Sequence, residues 1–252
     1  MCPAGNSSYK VVWLKNLAEV ERRQWDALAE PLSTPFLEWE WLHRMESSKS
    51  TAAATGWLPQ HLTVWSHDQL VAAAPLYVKQ HSAGEFVFDH IWAEVAARLK
   101  ISYYPKLVGM SPFTPMVGYR FLMAAGVNEA AVTRYMVDQI EQFCRHHQIS
   151  GCSFLFVDPQ WRRSMIDCGF TSWLHQSFTW QNENYHSFED YLAAFNSNQR
   201  RNIKRERRAI AGNGITLKIY EGDQIPAAYF SRIYSFYERT NDKFGPWGCM
   251  YL

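Results

Sequence analysis

Apolar and polar positions along this chain switch repeatedly between a period near two and a period near 3.6, so strands and helices alternate. VVWLK (11–15) is a β-branched and aromatic run that predicts a strand, and AEVERRQWDALAE (18–30) sets Val20, Trp25, Leu28 and Ala29 on one helical stripe, closed by Pro31 and Pro35. Phe36, Leu37, Trp41, Leu42 and Met45 recur at helical spacing up to the polar stretch ESSKST. HLTVWSHDQLVAAAPLYVKQ (61–80) reads as two strands joined by a His-Asp turn, the second apolar on both faces and therefore central. Residues 81–125 are irregular apart from a helix at 90–99; their prolines and glycines among aromatics make a poor core strand and a good site loop. NEAAVTRYMVDQIEQFCRHH (128–147) predicts a helix capped by Asn128, with Val132, Tyr135, Met136, Ile140 and Phe143 on one stripe. A buried strand (150–158), a short helix ending at Cys168 and Gly169, and a strand TSWLHQSFTWQN (171–182) follow. The pattern then restarts: helix 187–195 capped by Ser187, a basic helix, a Gly-Asn-Gly break at 212–214, strand ITLKIY, and helix 225–241. This order predicts an α/β (α+β) chain of two related units, 1–182 and 183–252, the second incomplete.

Composition narrows this little. The 25 Lys+Arg against 24 Asp+Glu exclude a general polyanion-binding field. The 47% apolar content, with 11 Trp, 13 Tyr and 15 Phe, excludes a mainly disordered chain. Five scattered cysteines (Cys2, Cys144, Cys152, Cys168, Cys249) without a CxxC pair argue against a disulfide scaffold and a zinc knuckle and suit a reducing compartment. No segment has the apolar length of a signal peptide or a membrane span, so a soluble, cytoplasmic protein is expected. The histidines lack the spacing of a metal site, and neither GxxxxGK[ST] nor GxGxxG occurs, which leaves nucleotide hydrolysis and dinucleotide redox chemistry without support.

Charge is nevertheless concentrated in one place. NSNQRRNIKRERRAI (196–210) carries Arg200, Arg201, Lys204, Arg205, Arg207 and Arg208 against Glu206 alone. On a helix Arg201, Lys204, Arg205 and Arg208 fall at i, i+3, i+4 and i+7, one contiguous face, while Ile203 and Ile210 point elsewhere. Such a face is either solvated, with its stems lying over apolar surface, or matched to an anion such as a phosphate. Phe195 is the only close aromatic, which weakens a nucleic-acid reading.

A second candidate region runs from His81 to Arg120, where Glu85, Asp89, His90, Tyr103, Tyr104, Lys106, Thr114 and Arg120 lie among aromatics. Glu85 or Asp89 can serve as a base and Tyr104 as a hydroxyl donor; equally, a carboxylate here can cap the helix at 90–99 and a tyrosine can simply pack.

The order of elements resembles the acyl-CoA N-acyltransferase (GNAT) fold, a mixed sheet flanked by helices, and its tandem use resembles the FemAB group. TGWLPQHLTVW, LVAAAPLYVKQHSAGEFVFD, SYYPKL, SPFTPMVGYR, FNSNQRRNIKRERRAI and FYERTNDKFG, in that order from about Thr34 onward, are similar to bacterial FemAB-like predicted N-acyltransferases of the peptidoglycan biosynthesis or recognition type. In that family the second domain looks longer, so this chain, ending at GCMYL, is expected to carry only its first part. The resemblance implies transfer of an acetyl, aminoacyl or other acyl group, from acetyl-CoA or another acyl-CoA, to an amine on a small molecule or cell-wall precursor, with aminoacyl-tRNA as another donor and no metal. It places Arg201, Lys204, Arg205 and Arg208 against a phosphate-bearing substrate and Lys106 on the groove wall, with Asp89, Glu85 and Tyr104 as catalytic candidates. One departure is plain: FLMAAGVNEAA before the helix at 128 lacks the usual GNAT pyrophosphate loop, so the first unit is not expected to bind coenzyme A in the usual way. The alternative is a protein of the same fold that recognises an anionic cell-wall precursor or nucleic acid without catalysis.

Overall fold

In the computed structural model, residues 9–32, 34–87 and 89–244 are described. Within them the chain divides into two units, one reaching to Ser172 and the other beginning at Trp173. The first eight residues with Cys2, and residues 245–252 with Cys249, lie outside the described residues.

The first unit is α/β, with two four-stranded sheets flanked by helices. Strands β1 (Tyr9–Leu14), β3 (His61–Ser66), β4 (Gln69–Ala74) and β7 (Leu122–Met123) form an antiparallel sheet in the order β1-β3-β4-β7. Strands β2 (Trp57–Pro59), β5 (Leu76–Lys79), β6 (Lys106–Gly109) and β8 (Cys152–Phe154) form a mixed sheet in the order β2-β5-β6-β8, with only the β6–β8 pair parallel.

The two sheets share one hairpin. β2 runs into β3 across Gln60 and β4 runs into β5 across Pro75, so each arm passes from one sheet to the other. Pro75 has no N–H to offer a ladder, and the gap is filled locally. Gln60 N–H donates to the Leu76 carbonyl at 2.8 Å, and Leu76 N–H donates to His61 Nδ1 at 3.1 Å. With Nδ1 accepting, the His61 proton sits on Nε2, which donates to Glu46 Oε1 at 2.8 Å. Glu46 Oε2 accepts from Leu17 N–H at 2.8 Å. A buried carboxylate and a neutral imidazole thus replace the missing ladder bond and tie the junction to the N-terminal segment.

The helices follow the expected stripes with shorter bounds. α1 (Arg22–Ala29) buries Trp25, Leu28 and Ala29, and α2 (Trp39–Ser47) buries Leu42 and Met45; each follows a short 3₁₀ turn, at Leu17–Glu19 and Pro35–Leu37 respectively. α3 (His90–Arg98) is mostly exposed, and α4 (Glu129–His146), capped by Asn128 onto Ala131 N–H, packs by Val132, Met136 and Ile140. α5 (Trp161–Asp167) lays Trp161 against Phe121 and Phe154.

Three expectations are corrected here, the last of them at the passage into the second unit. Residues 81–125 hold a core strand after all: β6 is buried at all four positions, because it lies between β5 and β8 inside the mixed sheet, with Pro105 and Pro112 outside its ends. The strand expected over 150–158 is only three residues long and partly exposed, since β8 stands at the sheet edge. Residues 171–182 form no strand and pair with none among the described residues, and Trp173, Leu174, Phe178 and Trp180 are exposed.

In the second unit α6 (Phe188–Ala193), α7 (Ser197–Gly212) and α8 (Ala227–Asp242) are helices, α6 and α7 opening on the capping boxes Ser187/Asp190 and Asn196/Gln199. ITLKIY (215–220), expected as a strand, has no ladder partner among the described residues, and Ile215, Leu217 and Ile219 are exposed. Leu192 alone among the described residues of this unit is buried. No helix among the described residues is long and apolar enough to cross a membrane.

Candidate functional site

The mixed sheet carries an unusual feature at its end. In the β5–β6 ladder Lys79 lies directly opposite Lys106, and both residues are buried, at 0% and 5% exposure. Like charges facing each other across a ladder repel, and a buried charge needs partners, so the carboxylates must come from elsewhere.

They come from the segment linking β5 to α3. Gly84 takes a left-handed backbone (φ +81°), and a Cβ there would stand 2.7 Å from the Phe113 ring, so only glycine makes this turn without displacing Phe113. Phe86 is also left-handed (φ +57°), a strained conformation for a bulky side chain. Between them Glu85 is turned into the protein, at 1% exposure. Asp89 stands at the N-cap position of α3 and does not cap it: its side chain makes no cap hydrogen bond and turns to Lys106 instead. The capping alternative for this carboxylate is therefore excluded.

Lys106 Nζ donates to Ser82 Oγ at 2.7 Å, Glu85 Oε2 at 2.7 Å and Asp89 Oδ2 at 2.6 Å, so all three ammonium protons are used within the protein. Tyr103 Oη donates to Asp89 Oδ2 at 2.7 Å, and Tyr104 Oη shares a 2.7 Å hydrogen bond with Ser82 Oγ. The rings of Tyr103 and Tyr104, half-buried and edge to face, have their centroids 5.5 and 5.6 Å from the ammonium. Two atoms of the cluster are left over: Glu85 Oε1 and Asp89 Oδ1 are buried and have no hydrogen-bond partner among the described residues.

The two carboxyls are driven apart. Burial pushes Glu85 above the ordinary carboxylate range, against the pull of Lys106. Burial acts on Asp89 in the same direction, but there the contacts with Lys106, Ser82 and Tyr103 prevail and hold it below its usual value. The Tyr103 hydroxyl is pushed up by burial and by its hydrogen bond to the Asp89 carboxylate. Environments that separate a pair of carboxyls in this way distinguish a proton acceptor from a fixed anion.

Five of the residues singled out in the sequence, Glu85, Asp89, Tyr103, Tyr104 and Lys106, thus stand in one hydrogen-bonded cluster. Other residues of the same segment do not join it: Arg120 pairs with Glu129, Thr114 donates to the Pro112 carbonyl, and His90 is exposed. Ser82 and Lys79 belong to the site and carried no signal of chemistry, although a lysine inside the apolar run LYVK is the irregularity that marks the second of them. Among the described residues no group of three or more His, Cys, Asp and Glu side chains is placed to hold a metal.

The basic residues sit in the second unit, on α7. Lys204 pairs with Glu189 at 2.9 Å, and Arg207 covers the Phe188 ring at 3.9 Å. Arg201, Arg205 and Arg208 are exposed and in no ion pair among the described residues.

Comparison with known proteins adds a family. The model of the FemAB-like family, described as peptidoglycan biosynthesis/recognition, matches residues 16–252. No curated protein matches the sequence. Solved structures with a distant likeness include a GCN5-related N-acetyltransferase from Ralstonia eutropha JMP134 (9% identity, 68% of this chain and 98% of that one, TM-score 0.42). Two others are the ribosomal-protein-alanine N-acetyltransferase of Brucella melitensis biovar Abortus 2308 (8%, 69% and 100%, 0.42) and the glucosamine-6-phosphate N-acetyltransferase of Arabidopsis thaliana (7%, 69% and 99%, 0.41). Likenesses at this distance speak to neither substrate nor site.

Proposed function

Since the chain belongs to the FemAB-like family of peptidoglycan biosynthesis/recognition proteins, we propose that it is an N-acyltransferase whose acceptor amine is received at the Lys106 cluster. The observation that carries this reading is the pair of buried carboxylate oxygens, Glu85 Oε1 and Asp89 Oδ1, left without partners among the described residues beside a fully satisfied ammonium. A second ammonium, that of an acceptor, is the group that two spare carboxylate oxygens in a cluster with two tyrosines fit best.

Each residue then has a task. Asp89, held ionised, anchors the acceptor. Glu85, with its raised affinity for a proton, removes the proton that blocks the amine lone pair. Lys106 positions both carboxylates and is no ligand itself. Tyr104, through its hydroxyl, is the donor to the oxyanion that forms as the amine adds to the acyl carbonyl. On α7 of the second unit, Arg201, Lys204, Arg205 and Arg208 offer the charge and donors suited to a phosphate, such as those of coenzyme A or a UDP-linked cell-wall precursor.

The test is transfer itself. Acetyl-CoA is incubated with a UDP-linked peptidoglycan precursor carrying a free amine, and the product mass is read. The wild type is expected to add one acetyl group, and Glu85→Gln to lose about 10²- to 10⁴-fold in rate. Binding of both ligands with no product would support the non-catalytic alternative instead.

A further inference from the structure

The turn that carries Glu85 inward is gripped at Ala83, a residue with no side-chain chemistry of its own. The Ala83 carbonyl accepts from Lys79 Nζ at 2.9 Å and from Trp57 Nε1 at 3.2 Å, and its N–H donates to His81 Nδ1 at 3.1 Å. Lys79 and Trp57 stand on β5 and β2, and the Lys79 ammonium lies 3.5 Å over the Trp57 ring, so the carbonyl side is anchored to the mixed sheet. On the N–H side the anchor is the His81 ring, and that ring has a seat of its own. Nε2 donates to the Thr55 carbonyl at 3.1 Å, and the ring lies against Gly56, where a Cβ would stand 2.2 Å from Nε2.

What the grip holds lies on either side of Ala83. Ser82 Oγ and Glu85 Oε2 both accept from Lys106, and Glu85 N–H closes the turn on the Ser82 carbonyl at 3.3 Å. On this geometry we infer that His81 is a positioning residue: by holding Ala83 it fixes the turn that brings Ser82 and Glu85 to Lys106. For catalysis this rests on the reading of the cluster as an acceptor-amine site with Glu85 as its base.

Only the neutral ring can play this part. Nδ1 accepts while it carries no proton; once protonated it is a donor facing a donor, and the contact with Ala83 is lost. Burial, together with the charges of Lys79 on β5 and Lys106 on β6, holds His81 below the ordinary histidine value, against the hydrogen bond to the Thr55 carbonyl. The grip is therefore in place at neutral pH and is released by acidification below about pH 6.5.

His81→Asn and His81→Leu separate this role from packing. Asn presents a side-chain oxygen near the place of Nδ1 and does not titrate, whereas Leu fills the seat without an acceptor. The turn is read first, by NMR hydrogen exchange of the Ala83 and Glu85 amides in the whole chain. At pH 7 both amides keep their protection in His81→Asn and lose about tenfold or more of it in His81→Leu. Between pH 7 and about 5 their protection factors fall in the wild type and stay level in His81→Asn. In the transfer assay kcat of His81→Leu falls about 10- to 10²-fold while KM for the amine, which Asp89 sets, is unchanged; His81→Asn restores kcat and lacks the His81 inflection on the acid limb. Unchanged protection in His81→Leu, protection factors of wild type and His81→Asn that run parallel as pH falls, or an equal loss of kcat in both variants overturns the inference. Should His81→Leu not fold, the comparison of wild type with His81→Asn decides. If the wild type transfers no acyl group, it is the acyltransferase reading that fails, and hydrogen exchange alone decides whether His81 holds the turn.

Discussion

Removing the Lys106 ammonium while leaving its carboxylates is the sharpest perturbation available. In Lys106→Met the stem volume is nearly kept, but Glu85 Oε2 and Asp89 Oδ2 lose contacts of 2.7 and 2.6 Å and two buried carboxylates, at 1% and 6% side-chain exposure, face each other without their shared cation. Breaking a buried pair by deleting one partner costs about 3–5 kcal/mol, because the remaining charge stays desolvated. For a unit of this size that corresponds to a fall of about 6–20 °C in melting temperature. The loss depends on pH in a defined direction. Without Lys106 both carboxyls bind protons more tightly folded than unfolded, so the variant keeps its stability below about pH 4 and loses it as pH rises through the raised folded values. In the wild type Asp89 acts oppositely, contributing stability above its unfolded pKa that disappears as pH falls through the lowered folded value. Thermal melts of both proteins from pH 5 to 8 measure the gap, and adding Glu85→Gln and Asp89→Asn to the variant should restore most of the loss. A cost under about 1 kcal/mol at pH 8, or a gap that narrows as pH rises, refutes the reasoning.

Other expectations concern single contacts. Glu46→Ala leaves Leu17 N–H and His61 Nε2 unpaired at the sheet junction and should cost about 2–4 kcal/mol in urea unfolding. Gly84→Ala forces a side chain into a left-handed turn 2.7 Å from the Phe113 ring, and should lower activity and stability together by displacing Glu85. Tyr103→Phe removes one of the contacts that hold Asp89 ionised, so the acid limb of the pH–rate profile should move to higher pH. Lys204→Ala/Arg208→Ala breaks only an exposed ion pair and should change stability by less than about 1 kcal/mol while weakening phosphate-ligand binding, most clearly at low salt.

Much of the site was legible because its polar residues stand where the hydrophobic pattern fails. Glu85, Asp89, Tyr104 and Lys106 all lie in the irregular stretch after LYVKQ. Their mutual distances were not legible, because the ladder that sets Lys79 opposite Lys106 is a tertiary pairing between segments separated by the whole of α3. Glu46 and His61 carried no signal for the same reason: one is on a helix, the other on a strand, and only the interruption at Pro75 gives their contact a purpose. The first helix of the second unit was readable from Ser187, a capping residue that acts locally, whereas the cap of α7 at Asn196 was not singled out. Its expected strands, 171–182 and 215–220, show the converse. Alternating apolar residues make a segment fit for a sheet, but a ladder needs a second segment, and none of the described residues supplies one.

The most direct test of the account is a calorimetric titration comparing a UDP-linked precursor with a free amine and the same molecule N-acetylated, against wild type, Glu85→Gln and Asp89→Asn. The account predicts that the wild type binds the free amine at least tenfold more tightly than the acetylated form, and that Asp89→Asn loses this preference while its affinity for acetyl-CoA stays the same. Equal affinity of the wild type for both forms, or a preference untouched by both substitutions, would contradict it and leave the buried charges without an acceptor to serve.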